Sequence, residues 1–172
     1  MKKIFALVLI AILALTTTAF AATYRYDGDD IVFNYDENLF DITMDDHSDD
    51  EDLVILITKD GNNYVRIHLA ELEDDETFPT IADFKDLEEG LGVKVETLET
   101  WGNGYKNVFT YIVDDEDGTV ETTFIAPVYD DDGEIDDILT VRIGVEKDVD
   151  EAAGMARDDA ISEILDTLKV DD

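Results

Sequence analysis

The sequence predicts an α+β domain, a mostly antiparallel sheet with helices packed in layers in the manner of an α/β/α sandwich. Three observations predict it. Apolar residues alternate with polar ones in short blocks separated by Gly, Asn and Asp turns, the pattern of hairpins. Two stretches instead carry apolar residues at helical intervals. The order along the chain is strands, helix, strands, helix, and that order with short connections favours antiparallel pairing.

Taken in order, residues 23–30 form a polar lead-in. Residues 31–35 (IVFNY) read as a strand, and Asp36-Glu37-Asn38 as a turn. Phe40, Ile42 and Met44 alternate with polar residues and predict a half-buried strand. An acidic loop follows over 45–52, then an apolar strand over 53–58. Lys59-Asp60-Gly61-Asn62-Asn63 is a hairpin turn, because Gly and Asn tolerate positive φ, and 64–69 is the return strand. Another acidic loop, 71–79, closes at Phe78-Pro79. Thr80 and Asp83 then have capping-box spacing, and Ile81, Phe84, Leu87 and Leu91 predict a helix ended by Gly90 and Gly92. Val93, Val95 and Leu98 open a further strand, and residues 101–105 (WGNGY) form a loop. Residues 107–113, 120–128 and 138–145 should run as a three-stranded meander through two acidic glycine turns. A final helix over 150–168 presents Ile161, Ile164, Leu165 and Leu168 as its apolar stripe, with Asp150 and Glu151 at its positive end.

The first 21 residues read differently. Met1-Lys2-Lys3 is a charged start, residues 4–15 are wholly apolar, and Ala19-Phe20-Ala21 is a small-residue cleavage site. The apolar run is shorter than the roughly 20 residues a spanning helix needs. The pattern is that of a secretory signal peptide at 1–21, cut before Ala22, followed by one domain over 22–172. It predicts a secreted or periplasmic protein with no transmembrane segment after cleavage.

Charge is the dominant property. The chain has 12 Lys+Arg against 45 Asp+Glu, a formal net charge of −33. Without Lys2 and Lys3 the mature chain keeps ten basic residues against 45 acidic ones, about −35. Such a field repels nucleic acid and anionic lipid and attracts cationic ligands, divalent metals or basic proteins. Hydrophobic residues still make up 45% of the chain, so a packed core is expected. No cysteine is present, which removes thiol catalysis and thiolate metal ligands.

This layout resembles the PsbP-like family and its bacterial exported relatives. The likeness is carried by the opening strand pair 31–35 and 40–44, the following hairpin, the helix introduced by Thr80, the Trp101-Gly102-Asn103-Gly104-Tyr105 loop before the meander, and the closing Ile164-Leu165-Asp166-Thr167-Leu168-Lys169. The resemblance implies an antiparallel sheet between helical layers and a non-enzymatic accessory or binding role. It implies no catalytic residues.

Catalytic signatures are sparse. The two serines are Ser48, beside His47 in an acidic loop, and Ser162, within the last helix. His47 and His68 lack H-E-x-x-H spacing, and no G-x-S-x-G occurs. The glycine turns at 118 and 133 fail the EF-hand pattern, yet Asp130, Asp131, Asp132 and Glu134, or Asp45, Asp46 and Asp49, supply the hard oxygens of a weak calcium site. Solvated loops are the plainer reading of both. Trp101 and Tyr105 are the candidate partner contacts, or else caps on the core. The leading expectation is an exported, non-catalytic binding domain without a resident cofactor, its partner a protein or cationic ligand. The alternatives are a carboxylate-based hydrolase and a weak calcium-binding envelope protein.

Overall fold

The structure is a computed structural model and describes residues 23–28, 30–48, 51–73, 76–114 and 118–170. Residues 1–21, read above as a signal peptide, and Asp49 lie outside the described residues. The described residues are mostly β, 54% strand and 20% helical. The chain forms β1 (Thr23–Asp27), β2 (Ile31–Asp36), β3 (Phe40–His47), β4 (Glu51–Thr58) and β5 (Tyr64–Glu71). A 3-10 turn (Ile81–Phe84) and helix α1 (Lys85–Leu91) lead to β6 (Glu96–Trp101), β7 (Tyr105–Asp114), β8 (Thr119–Tyr129) and β9 (Ile135–Glu146). Helix α2 (Glu151–Thr167) and the short β10 (Lys169–Val170) close the chain.

Two sheets result. One has the order β1-β2-β10, and the other β3-β4-β5-β9-β8-β7-β6, with antiparallel pairing throughout. This corrects the α/β/α sandwich expected from the sequence and from the PsbP-like resemblance. The reason lies in what covers the large sheet. Phe33, Tyr35 and Ile31 of the three-stranded sheet join Ile161 and Ile164 of α2, and Leu168 just past its end, in one core with Leu56, Ile67, Leu139 and Val141 of the seven-stranded sheet. A second sheet thus occupies part of the space assigned to a helical layer. On the opposite face α1 is only seven residues long and buries none of its side chains. With the preceding 3-10 turn it covers a small patch built on Phe84, Val95, Phe109 and Tyr111, not a whole face.

Within this frame the periodicities hold. In β4 and β5 every second residue is buried, as expected of strands with one face on the core. The meander β7-β8-β9 pairs consecutively. Asp150 caps α2 by accepting the Ala152 and Ala153 N–H groups, and Ile161 and Ile164 are buried while Leu165 is half-buried. Burying a side chain such as Ile164 contributes roughly 1.5–3 kcal/mol. The capping box also forms, since the Asp83 carboxylate accepts from the Thr80 N–H at 2.7 Å and from its hydroxyl at 2.8 Å, which lowers the Asp83 pKa. Two segments read as irregular are strands. The lead-in pairs with β2 from Thr23↔Asp36 to Asp27↔Val32. Most of the acidic loop 45–52 extends β3 and β4, with Asp45 opposite Val54 and His47 opposite Asp52.

Candidate functional site

The end of the molecule where the β1–β2 and β8–β9 turns meet is an acidic basin. The β8–β9 turn is fixed locally. Asp130 Oδ1 accepts the Glu134 N–H at 2.8 Å, the Asp130 carbonyl accepts the Gly133 N–H, and Gly133 takes φ 84°, where a Cβ would be strained. That turn presents Asp131 and Asp132 beside Asp136 and Asp137 at the start of β9, with Asp30 arriving from the β1–β2 turn. These five and Asp130 line a cavity of about 430 Å³, joined by Leu69 and Val170 and by no lysine or arginine. A smaller hollow of about 120 Å³ shares Asp30, Leu69, Asp136 and Asp137 and continues the basin to Glu51, Asp52 and Glu71. The structure therefore brings Asp130, Asp131 and Asp132 together with three aspartates not singled out from the sequence. Glu134 does not line the basin.

Asp45 and Asp46 go elsewhere, and a β-bulge between Ile42 and Met44 decides how. Before the bulge Phe40 and Ile42 face the core. The extra residue shifts the alternation, so Asp45 and His47 face the core side in turn and Asp46, opposite Leu53, faces away. Asp45, His47 and the buried Asp52 then form a network at the core's rim. His47 Nδ1 lies 2.6 Å from Asp52 Oδ1, and its Nε2 lies 2.8 Å from Asp45 Oδ1. Tyr26 of β1 donates to Asp45, and the Asp30 N–H donates to Asp52 Oδ2 at 3.3 Å. Hydrogen bonding to Asp52 first, with the charges of Asp52 and Asp45, raises the His47 pKa against the opposing effect of burial. Both ring nitrogens face carboxylate oxygens, an arrangement that favours the protonated ring, and the network bolts the small sheet to the large one. Ser48 is a turn residue: its hydroxyl donates to the Glu51 carbonyl and accepts the Glu51 N–H.

Trp101 and Tyr105 flank the β6–β7 turn. Trp101 stacks on Phe124 at 4.5 Å between centroids and is half-buried against the core. Gly102 takes φ 53°, and a Cβ there would lie 2.9 Å from the Leu165 carbonyl oxygen, so the turn needs glycine to rest on the end of α2. Tyr105 projects from this turn into a cavity of about 490 Å³ lined also by Pro127, Val128, Tyr129 and Val170, with Lys106 and Lys169. Val170 is common to this apolar bowl and the acidic basin, so the two adjoin.

Among the described residues no three His, Cys, Asp or Glu side chains are grouped to hold a metal ion. Among them, too, no helix is long and apolar enough to cross a membrane. No family model, curated protein or solved structure matches the chain.

Proposed function

We propose that the mature protein is an exported, non-catalytic binding domain whose acidic basin receives a cationic ligand, a basic segment of another protein. The observation that carries this reading is the six-aspartate basin adjoining the Tyr105 bowl through Val170. Carboxylates spread over about 430 Å³ suit several separated positive charges better than one ion, which favours an extended cation over calcium. An apolar or aromatic residue of the same segment has the bowl to occupy. The accessory role implied by the PsbP-like resemblance agrees with this proposal, and export rests on the signal-peptide pattern.

The test is a thermal-shift titration of the full mature chain with a lysine-rich peptide containing one tryptophan. Calcium chloride and sodium chloride at matched ionic strength are the comparisons. The peptide is expected to stabilise beyond sodium chloride in the form RT ln(1 + [L]/Kd), and Asp130→Asn/Asp131→Asn/Asp132→Asn should weaken it at least fivefold. A response that merely tracks ionic strength, or one that the triple variant leaves intact, refutes the reading. A calcium excess removed by the triple variant would replace it with the metal site.

A further inference from the structure

The seven-stranded sheet has a second polar feature, far from the basin in chemistry. On the face turned away from the main core, the centre of the sheet carries Arg66 on β5 directly opposite Arg142 on β9, and Arg142 directly opposite Thr123 on β8. The neighbouring row pairs His68 with Thr140. Directly opposed residues share a face with their Cβ atoms about 5 Å apart, and like charges so placed repel. In a chain with 45 acidic residues the natural remedy is a carboxylate between them. None is there: among the described residues neither guanidinium has an ion pair or hydrogen bond. The other two described arginines each do, Arg25 with Asp27 at 3.4 Å and Arg157 with Asp158 at 2.8 Å.

A cavity marks this place, and an unpaired buried hydroxyl lies beside Arg142 in the same row without lining it. Arg66, His68, Thr140 and Arg142 line a cavity of about 100 Å³. That is too small for a drug-sized ligand, whose pockets start at roughly 300 Å³, but fits a single polar head group. In the same row Thr123 is 0% exposed, and its Oγ1 is a buried side-chain polar atom without a hydrogen-bond partner. A buried hydroxyl left unpaired is destabilising and needs a reason.

We propose that this cavity binds a doubly charged oxyanion, a free phosphate or the phosphate group of a larger molecule. Two facing guanidiniums match two negative charges. Their planar forks present paired N–H donors to anionic oxygens, and Thr140 adds a hydroxyl at the cavity wall, where the Glu51 carboxylate already engages His68 Nε2 at 2.8 Å. The anion replaces the repulsion between the arginines with two attractions. None of its four lining residues lines the acidic basin, and Glu51 of the basin's smaller hollow reaches it only through His68, so either proposal can fail without the other.

The experiment is titration calorimetry of the full mature chain, well below its melting temperature, with inorganic phosphate, with a phosphomonoester, and with sodium chloride at matched ionic strength. Phosphate should give saturable heat with one site per chain that chloride does not reproduce. Tighter binding of the ester would place the group on a larger molecule, and equal or weaker binding would favour free phosphate. Arg66→Gln and Arg142→Gln should each weaken binding at least tenfold, Arg142→Lys should weaken it less, and Arg25→Gln should leave it unchanged. Without phosphate the two glutamine variants should melt no lower than the parent, because each removes one of two repelling charges. No saturable heat, or heat retained in both glutamine variants, overturns the proposal. So does a concentration-dependent dimer that either glutamine variant dissolves, since the arginines would then be meeting a carboxylate of a second copy.

Discussion

Replacing His47 with Ala removes the imidazole at the centre of the rim network and leaves Asp52 in place. Asp52 is 3% exposed and would retain one described donor, the Asp30 N–H at 3.3 Å. Breaking a buried ion pair by deleting one partner typically destabilises by about 3–5 kcal/mol. The His47 side chain is 28% exposed, so water partly compensates, and about 3 kcal/mol is the expected loss by that principle. For a domain of this size that lowers Tm by roughly 6–12 °C. Asp52→Asn in the His47→Ala background should recover at least half of the loss, since removing both charges leaves no uncompensated ion.

The pH dependence gives the same network a second signature. The folded-state pKa of His47 lies above its ordinary 6.5, so the folded chain holds this proton more tightly than the unfolded chain does. The stabilisation is therefore complete below about pH 6.5 and is lost as pH rises through the folded-state pKa, at no more than about 1.4 kcal/mol per pH unit. Urea unfolding followed by circular dichroism from pH 5.5 to 9 reads this directly. The parent should weaken across the window, and His47→Ala should be flatter. A His47→Ala loss below about 1 kcal/mol, against the 3–5 expected of a buried pair, would refute the role assigned to the network. An unchanged pH slope would do the same.

Two further predictions follow from local geometry and from the chain's start. The Tyr64 ring lies over Gly144, where an added Cβ would collide with it, so Gly144→Ala should destabilise by about 1–3 kcal/mol in urea titration, and Tyr64→Ala in the same chain should relieve part of that loss. Equal stability of the parent and Gly144→Ala would show that the ring does not pack there. Intact-mass measurement on protein from its native host should find Ala22 as the first residue, and a full-length chain in the membrane fraction would contradict the signal-peptide reading.

Much of the sheet was legible because its strands bury one face only. The short apolar run 53–58 and the return strand 64–69, joined by the glycine turn between them, mark a hairpin irrespective of tertiary context. The small sheet was not legible. Residues 23–27 are polar, and what makes them a strand is pairing with β2, which no local pattern announces. The closing Lys169–Val170 strand is two residues long and exists only because Val32 and Ile31 lie opposite it. Missing these partners left helices as the apparent cover for the large sheet. The site was half legible for a related reason. The triplet Asp130–Asp132 stands out in sequence, but Asp30, Asp136 and Asp137 join it only through the fold. The parity of Asp45 and His47 depends on a bulge, and the opposition of Arg66 to Arg142 depends on a register between strands about seventy residues apart.

Where the acid sits also argues about what it is for. The two edges of the seven-stranded sheet are β3 and β6, and an exposed edge invites pairing with another chain. Each edge carries exposed carboxylates, Asp41 and Asp46 on β3, Glu96 and Glu99 on β6. Those charges blunt the edges, and their number needs no ligand to explain it. The basin is different, because its aspartates come from turns and a strand start and converge on a hollow lined by no lysine or arginine among the described residues. Convergence in a concavity concentrates like charge and opposes folding, whereas the same residues spread over a surface would serve solubility equally well. The Arg66–Arg142 pair inverts the pattern, concentrating positive charge at the sheet's centre in a chain that could neutralise it many times over. Both places hold charge against the fold's own electrostatic interest, and a ligand of opposite sign at each removes the conflict.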